Sequence, residues 1–280
     1  MQKVESIADM RMLAAQLKAK SGWLALVPTM GALHEGHAAL IDAAKTQSGA
    51  VVVSIFINPL AFGPNEPLGN YPKSLEADLA LCESMGVDAV FIPSVDEIYP
   101  KGYSTYVNEE AVSRGLCGPS RPNHFRGVTT LMVKLLNVIH PDVAVFGQKD
   151  VQQVAVIRKM AIDLGFELEL TVVPTVRAAD GLALGVRNLG MTTSQRGEAL
   201  ALSKALFRAK EMVASGVRST DRVVAEATHI LSQHRRVRII YISTVDIATM
   251  EPMREIVPER TMLAIAAWVD EVRLIDNIVL

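Results

Sequence analysis

Residues 24–57 read LALVPTMGALHEGHAALIDAAKTQSGAVVVSIFI. The runs 24–27 and 50–57 are almost wholly apolar, and residues 36–45 between them carry a helical pattern. A strand that is apolar at every position is buried on both faces. That is the condition of a parallel sheet covered by helices on each side, not of a half-solvated antiparallel sheet. The order strand, turn, helix, strand in this one stretch sets the fold class as α/β.

The same alternation continues outward. Ser74 predicts an N-cap for a helix over 75–85, with Glu76 and Asp78 in its acidic first turn and Gly86 at its end. A strand at 89–92, a helix around 127–138, a strand at 143–146, a helix over 151–164 stopped by Gly165 and a strand at 170–173 follow. After Thr175 the texture changes. A loop through Asp180 and Gly181 leads to helical segments near 195–214 and 220–234, then to strands at 238–245, 262–267 and 272–275. Two domains are expected: residues 1–175 around a parallel sheet, and residues 176–280 as a smaller α+β domain. In a parallel sheet of this kind, ligands bind in the crevice at the carboxyl ends of the strands.

The chain has 280 residues, half of them hydrophobic, with a formal net charge of −2. Near-neutrality gives no general electrostatic reason to bind nucleic acid or an anionic membrane, so an anionic ligand must be held by a few local charges. Cys82 and Cys117 lie far apart and form no C-x-x-C pair, which suggests neither a disulfide framework nor a zinc site. Glu5 and Asp9 are wrong for a secretory signal, and the most apolar run, 50–62, is interrupted by Ser54, Asn58 and Pro59. A soluble, cytoplasmic protein is expected.

Two turns carry the chemistry-bearing residues. Pro28-Thr29-Met30-Gly31-Ala32-Leu33-His34-Glu35-Gly36-His37 follows a strand and opens a helix, whose first N–H groups and partial positive charge suit a phosphate. His34 and His37 can point the same way from the first turn, and the helix field favours neutral imidazoles able to donate N–H to a phosphoryl group. Gly31 and Gly36 have Walker-A spacing, but His37 and Ala38 stand where Lys and Ser/Thr are needed. A zinc helix wants His at i and i+4, so no metal ligands are assigned. On this turn alone, a structural pair of histidines and a nucleotide site are equally good readings. The second turn, Gly147-Gln148-Lys149-Asp150, again follows a strand and opens a helix. A lysine in a helix's first turn is unfavourable by ~0.3–1 kcal/mol where exposed, which makes sense if it leans toward an anion. Asp150 is placed to cap the helix and to orient Lys149, and Gln153 lies one turn on with two donors and one acceptor. A solvent-exposed lysine beside a capping aspartate is the plain alternative. Two such turns on one parallel sheet shift the balance toward a phosphate-binding cleft.

Six motifs together resemble the pantothenate synthetase (pantoate–β-alanine ligase) family: 28–37 (PTMGALHEGH), 58–66 (NPLAFGPNE), 121–127 (RPNHFRG), 145–153 (VFGQKDVQQ), 180–188 (DGLALGVRN) and 273–277 (RLIDN). The resemblance runs nearly end to end. It implies a Rossmann-like, nucleotidyltransferase-type sheet domain with a smaller C-terminal lid domain, assembled as a homodimer. It implies an enzyme using ATP and Mg2+, in which pantoate attacks the ATP α-phosphate and β-alanine then displaces AMP from the pantoyl-adenylate. By motif, Met30, Gly31, His34, His37, Gly147, Gln148, Lys149 and Asp150 would bind ATP, with His37 as the catalytic acid. Val176 would touch adenine. Leu184, Gly185, Val186 and Arg187 would close on the phosphates, and Gln153, with Asn58 and Ala61, would face the acid. His34, His37, Lys149 and Arg187 are the catalytic set so implied. Asn58 before Pro59 is equally well read as a turn former. Arg121 and His124 face the cleft or anchor a loop, and Arg273 with Asp276 reads as a paired Arg and Asp in strand packing.

Two departures stand out. Ala61 occupies the place of a glutamine, and Gly185-Val186 occupies that of two serines. A lost polar substrate contact typically costs ~0.5–1.5 kcal/mol. The departures raise two alternatives: the same adenylation chemistry on a different small hydroxy acid, or a nucleotide-binding relative without catalysis.

Overall fold

The structure is a computed structural model that describes residues 1–63 and 68–280. The last residues of the 58–66 motif, Pro64, Asn65 and Glu66, lie outside the described residues. The chain divides into two compact units: residues 1–110, 121–147 and 156–174 form one, and residues 111–120, 148–155 and 175–280 form the other.

In the first unit six parallel strands make one sheet. They are β1 (Gln2–Val4), β2 (Leu24–Thr29), β3 (Ala50–Ile55), β4 (Ala89–Phe91), β5 (Val143–Gly147) and β6 (Glu169–Val173), in the order β1-β4-β3-β2-β5-β6. The helices are α1 (Ile7–Ser21), α2 (Glu35–Gln47), α3 (Leu75–Ser84), the single turn α4 (Val95–Ile98), α5 (His124–Ile139) and α6 (Val151–Asp163), whose residues 151–155 belong to the second unit. Side chains alternate along each strand, so the unbroken apolar runs serve two cores. Val27, Val51, Val53, Val90 and Val145 pack with Ile41 and Ala44 of α2 and Cys82 of α3. Leu24, Leu26, Val52 and Ala144 point the other way and are fully buried, on the face where α1 lies against β2 and β3 and α5 lies against α1. The both-faces-covered parallel sheet expected from residues 24–57 is therefore present.

Two elements precede anything the sequence pattern assigns. Strand β1 is three residues long and buries only Val4. Helix α1 is capped by Ser6 and buries only Met10, Leu13 and Ala14, too thin a stripe to stand out. Helix α3 begins where expected, but Ser74 does not cap it: its hydroxyl donates to Asp78 Oδ1 at 2.9 Å. Cys82 is fully buried beside that helix, and burial, reinforced by Asp78, pushes its thiol pKa up to about 11.

The second unit contains a three-stranded antiparallel meander, β7 (Val237–Asp246), β8 (Thr261–Val269) and β9 (Val272–Val279). It is packed by α7 (Thr193–Ala214) and α8 (Thr220–Ser232) around Leu202, Leu206, Leu231, Leu263 and Ile265. A reciprocal capping box between Thr192 and Gln195 starts α7. The pieces 111–120 and 148–155 are tied to each other by buried Gln152, which accepts from Cys117 N–H and donates to the carbonyls of Val112 and Gly115. No periodicity announces such a link, since it runs through one side chain.

Because Leu26 is fully buried at the centre of the sheet, Leu26→Ala is expected to cost about 2–5 kcal/mol of stability. A drop of the denaturant midpoint at unchanged slope in equilibrium urea unfolding is the measurement.

Candidate functional site

Strand order reverses between β2 and β5: from β2 the chain builds outward through β3 and β4, and β5 then starts on the opposite side, followed by β6. The two strands are parallel neighbours, with Ala25 opposite Val143 and Leu26 opposite Ala144. Their carboxyl ends therefore leave the same edge of the sheet. A reversal of this kind opens a crevice that helices cannot fill, and it is where open α/β sheets take their ligands. The turns after β2 and β5 are the two singled out from the sequence.

The first turn is held by a residue that sequence reasoning missed. Asp78, buried, accepts from Ala32 N–H through Oδ2 (2.9 Å) and from Leu33 N–H through Oδ1 (2.8 Å), and Ser74 steadies the carboxylate. Acidity in the first turn of α3 was its only signal, and that signal reads as dipole compensation. Thr29 completes the frame, donating to Ser54 O and accepting from Gly31 N–H.

At the start of α2 the two histidines cap the helix reciprocally. His34 Nδ1 accepts from Gly36 N–H at 3.1 Å, and His37 Nδ1 accepts from His34 N–H at 3.2 Å. The rings lie 4.2 Å apart, tilted by 50°. A backbone N–H can only donate, so in each neutral ring Nδ1 carries the lone pair and Nε2 carries the proton. Both imidazoles are thus fixed as Nε2–H donors at a helix N-terminus. The structural pair and the phosphate donor, posed as alternatives from sequence, are compatible: the capping bonds set the tautomer. Gly36 makes the cap possible, since a Cβ there would sit 2.8 Å from Cε1 and 3.0 Å from Nδ1 of His34. Met30 and Gly31 form the half-buried and buried entry to this turn.

The second turn is a 3-10 turn, Gln148–Asp150, leading into α6. Asp150 is exposed and makes no cap bond, which corrects the expected capping role: the 3-10 turn already bonds the first N–H groups. Lys149 is half-buried, and its pKa is pushed down. Burial is the main cause; Asp150 and Asp276 oppose it, while Arg187 and Arg177 add to it. Its ammonium lies against Gly185, where any Cβ would run into it. Lys149 also lines a cavity of about 10 Å3 with Leu182, Ala183, Asn188 and Asp276, room for about one water. Gly185 thus gives the ammonium its present place.

The segment 176–190 is an ordered hairpin and turn. Val176 O accepts from Leu184 N–H, Arg177 and Ala183 form an antiparallel bridge, and Gly185 leads into a 3-10 stretch, Val186–Gly190, that carries Arg187. Gln153 is partly exposed and its amide has no hydrogen-bond partner among the described residues, in contrast to its fully engaged neighbour Gln152.

The 58–61 and 121–127 motifs form a single assembly. Asn58 Oδ1 accepts from Leu60 N–H and from Tyr99 OH, and its Nδ2 donates to Gly127 O, so most of its capacity is spent on structure. His124 Nδ1 lies 2.7 Å from Ala61 O and must be its protonated nitrogen, which leaves Nε2 to accept from Arg121 Nη1. Arg121 Nη2 also donates to Ala61 O. Between the two roles left open for Arg121 and His124, this geometry favours the anchor. Ala61 itself is buried.

Arg273 and Asp276 do not pair, which corrects the reading of the C-terminal motif. Three apart on β9, they point to opposite faces. Arg273 donates to Cys117 Sγ and Ser120 Oγ, while Asp276 takes both nitrogens of Arg177 at 2.7 and 3.0 Å. Among the described residues no cluster of three or more His, Cys, Asp or Glu could hold a metal ion.

The profile of the pantoate–beta-alanine ligase family matches residues 2–279. A pantothenate synthetase of Thermosipho africanus (strain TCF52B) is 46% identical over 280 residues, covering 100% of both chains. The crystal structure of a pantothenate synthetase from Thermus thermophilus superposes with a TM-score of 0.94 at 38% identity, covering 99% of each chain. A pantoate–beta-alanine ligase from Francisella tularensis, complexed with beta-gamma ATP and beta-alanine, superposes with a TM-score of 0.82 at 29% identity over 100% of this chain and 97% of that one.

Histidine-labelled protein is expected to show the Nε2–H tautomer for neutral His34 and His37 in 1H–15N correlation spectra. Gly36→Ala should release His34 from that state and cost about 1 kcal/mol of stability, the usual worth of a helix cap.

Proposed function

The chain belongs to the pantoate–β-alanine ligase family, and from that membership and the local geometry we infer that it is an enzyme that condenses pantoate with β-alanine, consuming ATP. A carboxylate oxygen of pantoate attacks the α-phosphorus; a P–O bond forms and the bond to pyrophosphate breaks. The β-alanine amine then attacks the activated carbonyl, loses a proton, and AMP leaves as the amide forms. No protein nucleophile is needed. The barrier lies in gathering charge on phosphorus and on departing pyrophosphate, and fixed donors and cations lower it.

The observation that carries the assignment of groups is the reciprocal cap of His34 and His37. It fixes each ring at a helix N-terminus with its proton on Nε2, so neither needs to reorganise as charge develops. His37 serves as the acid toward the phosphoryl oxygens, with His34 beside it. Lys149 and Arg187 supply cationic charge, and the backbone of Met30, Gly31, Gly147, Gln148 and Asp150 shapes the nucleotide site. Val176 and Leu184, at the open end of the hairpin, are assigned to adenine and phosphate contact with Gly185 and Val186, whose backbone N–H groups stand in for the absent hydroxyls. Gln153, whose amide is uncommitted, is assigned to pantoate.

Magnesium is proposed to enter with the triphosphate. This ion prefers phosphate oxygens and retains several of its waters. When bound it would neutralise phosphate charge. The readings prompted by Ala61 and by Gly185-Val186, a changed acid or lost catalysis, are not favoured given a full-length family match and relatives at this identity. Homodimer assembly and a cytoplasmic location are proposed by analogy with the family; among the described residues no helix is long and apolar enough to cross a membrane. Light scattering at twice the chain mass would bear on the dimer.

AMP and pyrophosphate are expected only with pantoate, β-alanine and ATP all present. Lys149→Ala should lower kcat/KM for ATP by about a hundredfold or more, as loss of one electrostatic group typically does. Absence of AMP with authentic substrates would overturn the assignment. The ammonium form is the active one and its pKa is depressed. In the free enzyme, kcat/KM for ATP should therefore fall with rising pH earlier than an ordinary lysine would allow, and a pH–rate profile reads that limb directly.

A further inference from the structure

Strand β9 carries the motif 273–277, RLIDN, and two successive residues of it act on the elements that carry Lys149 and Gly185. Asn277 is buried. Its Nδ2 donates to Gln148 O at 3.0 Å and to Lys149 O at 3.1 Å, while its Oδ1 accepts from Gln148 Nε2 at 3.3 Å. A 3-10 turn leaves its carbonyls poorly satisfied, and a single amide here takes up two in succession. An aspartate would offer no donor for them, and a serine only one.

The preceding residue works on the hairpin. Asp276, also buried, grips Arg177 with two parallel bonds, and Arg177 reaches further to Gly181 O and Asn277 O. Arg177 is bridged to Ala183, two residues before Gly185. Asp276 and Lys149 line the same small cavity. Four side chains of opposite sign therefore bear on the ammonium: Asp150 and Asp276 on one hand, Arg177 and Arg187 on the other.

We propose that Asn277 and Asp276 are positioning residues for Lys149: Asn277 fixes the backbone from which the lysine projects, and Asp276 fixes the hairpin and the negative charge beside its ammonium. Neither touches a reacting atom. The C-terminal strand thereby becomes part of the ATP machinery rather than sheet packing alone. This inference rests on the assignment of Lys149 to ATP.

The test is a double-mutant cycle on the full-length enzyme, with pyrophosphate release followed at saturating pantoate and β-alanine while ATP is varied. Asn277→Ala is expected to lower kcat/KM for ATP about tenfold to a hundredfold, the range for an ångström-scale misplacement of a catalytic group. In a Lys149→Ala background the same change should cost less than about twofold, since non-additivity is the mark of residues acting through one another. Equal losses in both backgrounds, or no loss in either, would overturn the proposal. If Lys149→Ala alone leaves kcat/KM intact, the assignment of Lys149 itself fails, a separate outcome. Asp276→Asn keeps the shape and removes the charge, so it serves where Asn277→Ala does not fold. It should move the alkaline limb of kcat/KM for ATP to lower pH, because one of the two carboxylates that favour the ammonium is gone while Asp150, Arg177 and Arg187 remain. An unmoved limb would refute the role given to Asp276.

Discussion

The parallel pairing of β2 with β5 is the constraint from which the first unit's functional edge follows. Parallel neighbours have their carboxyl ends at one edge, and because strand order reverses here, the chain departs from that edge in two directions. Neither turn is long. Each passes almost at once from a buried strand into a helical turn, where backbone N–H groups must find partners outside the regular helix ladder. The sheet needs residues 24–29 and 143–147 apolar to bury them, and the polar chemistry is compressed into the few residues that follow. Burial and function thus alternate along the chain because the fold forces them apart.

What holds those few residues is mostly side chain to backbone. Asp78 binds two successive N–H groups of the first turn, His34 and His37 cap each other's backbone, and Asn277 binds two carbonyls of the second. A buried carboxylate or amide is costly unless its capacity is met, and Asp78 and Asn277 meet much of theirs on main-chain groups of these turns. The arrangement solves two problems with one bond. A chain of net charge −2 has to hold any anion by oriented N–H groups and a few local cations, not by overall charge.

The sequence displayed strands β2 to β6 and helices α2, α3, α5 and α6 clearly, because apolar runs and helical spacing are local signals. It did not display β1 or α1, whose buried positions are too few to make a pattern. The same division holds within the site. His34, His37 and Lys149 were singled out as candidates because their types are unusual at a strand-to-helix turn. Asp78 and Asn277 were not, since each acts on residues far away in the chain, and an acid in a first turn or an amide in a final strand has a sufficient local explanation. Ser74 shows the limit sharply: it occupies the N-cap position, yet its hydroxyl turns to Asp78 because that carboxylate needs a donor more than α3 needs a cap. Arg273 and Asp276 were paired by proximity in sequence, whereas strand alternation sends them to opposite faces.

Position 185 joins these threads. Read as a string, glycine in place of a serine is a deletion of one hydroxyl. In the folded chain the missing Cβ is the space that the Lys149 ammonium occupies, beside Asp276 and Asn188. With glycine here, the flexible end of Lys149 can lie against the backbone at 185. Burial lowers the affinity of that amine for its proton, and Asp150 and Asp276 restore part of it. An ammonium held this way is less hydrated than one in bulk water. The loss at 185 and the two carboxylates near Lys149 are thus parts of one electrostatic balance, legible only when the hairpin, the second turn and the last strand are seen together.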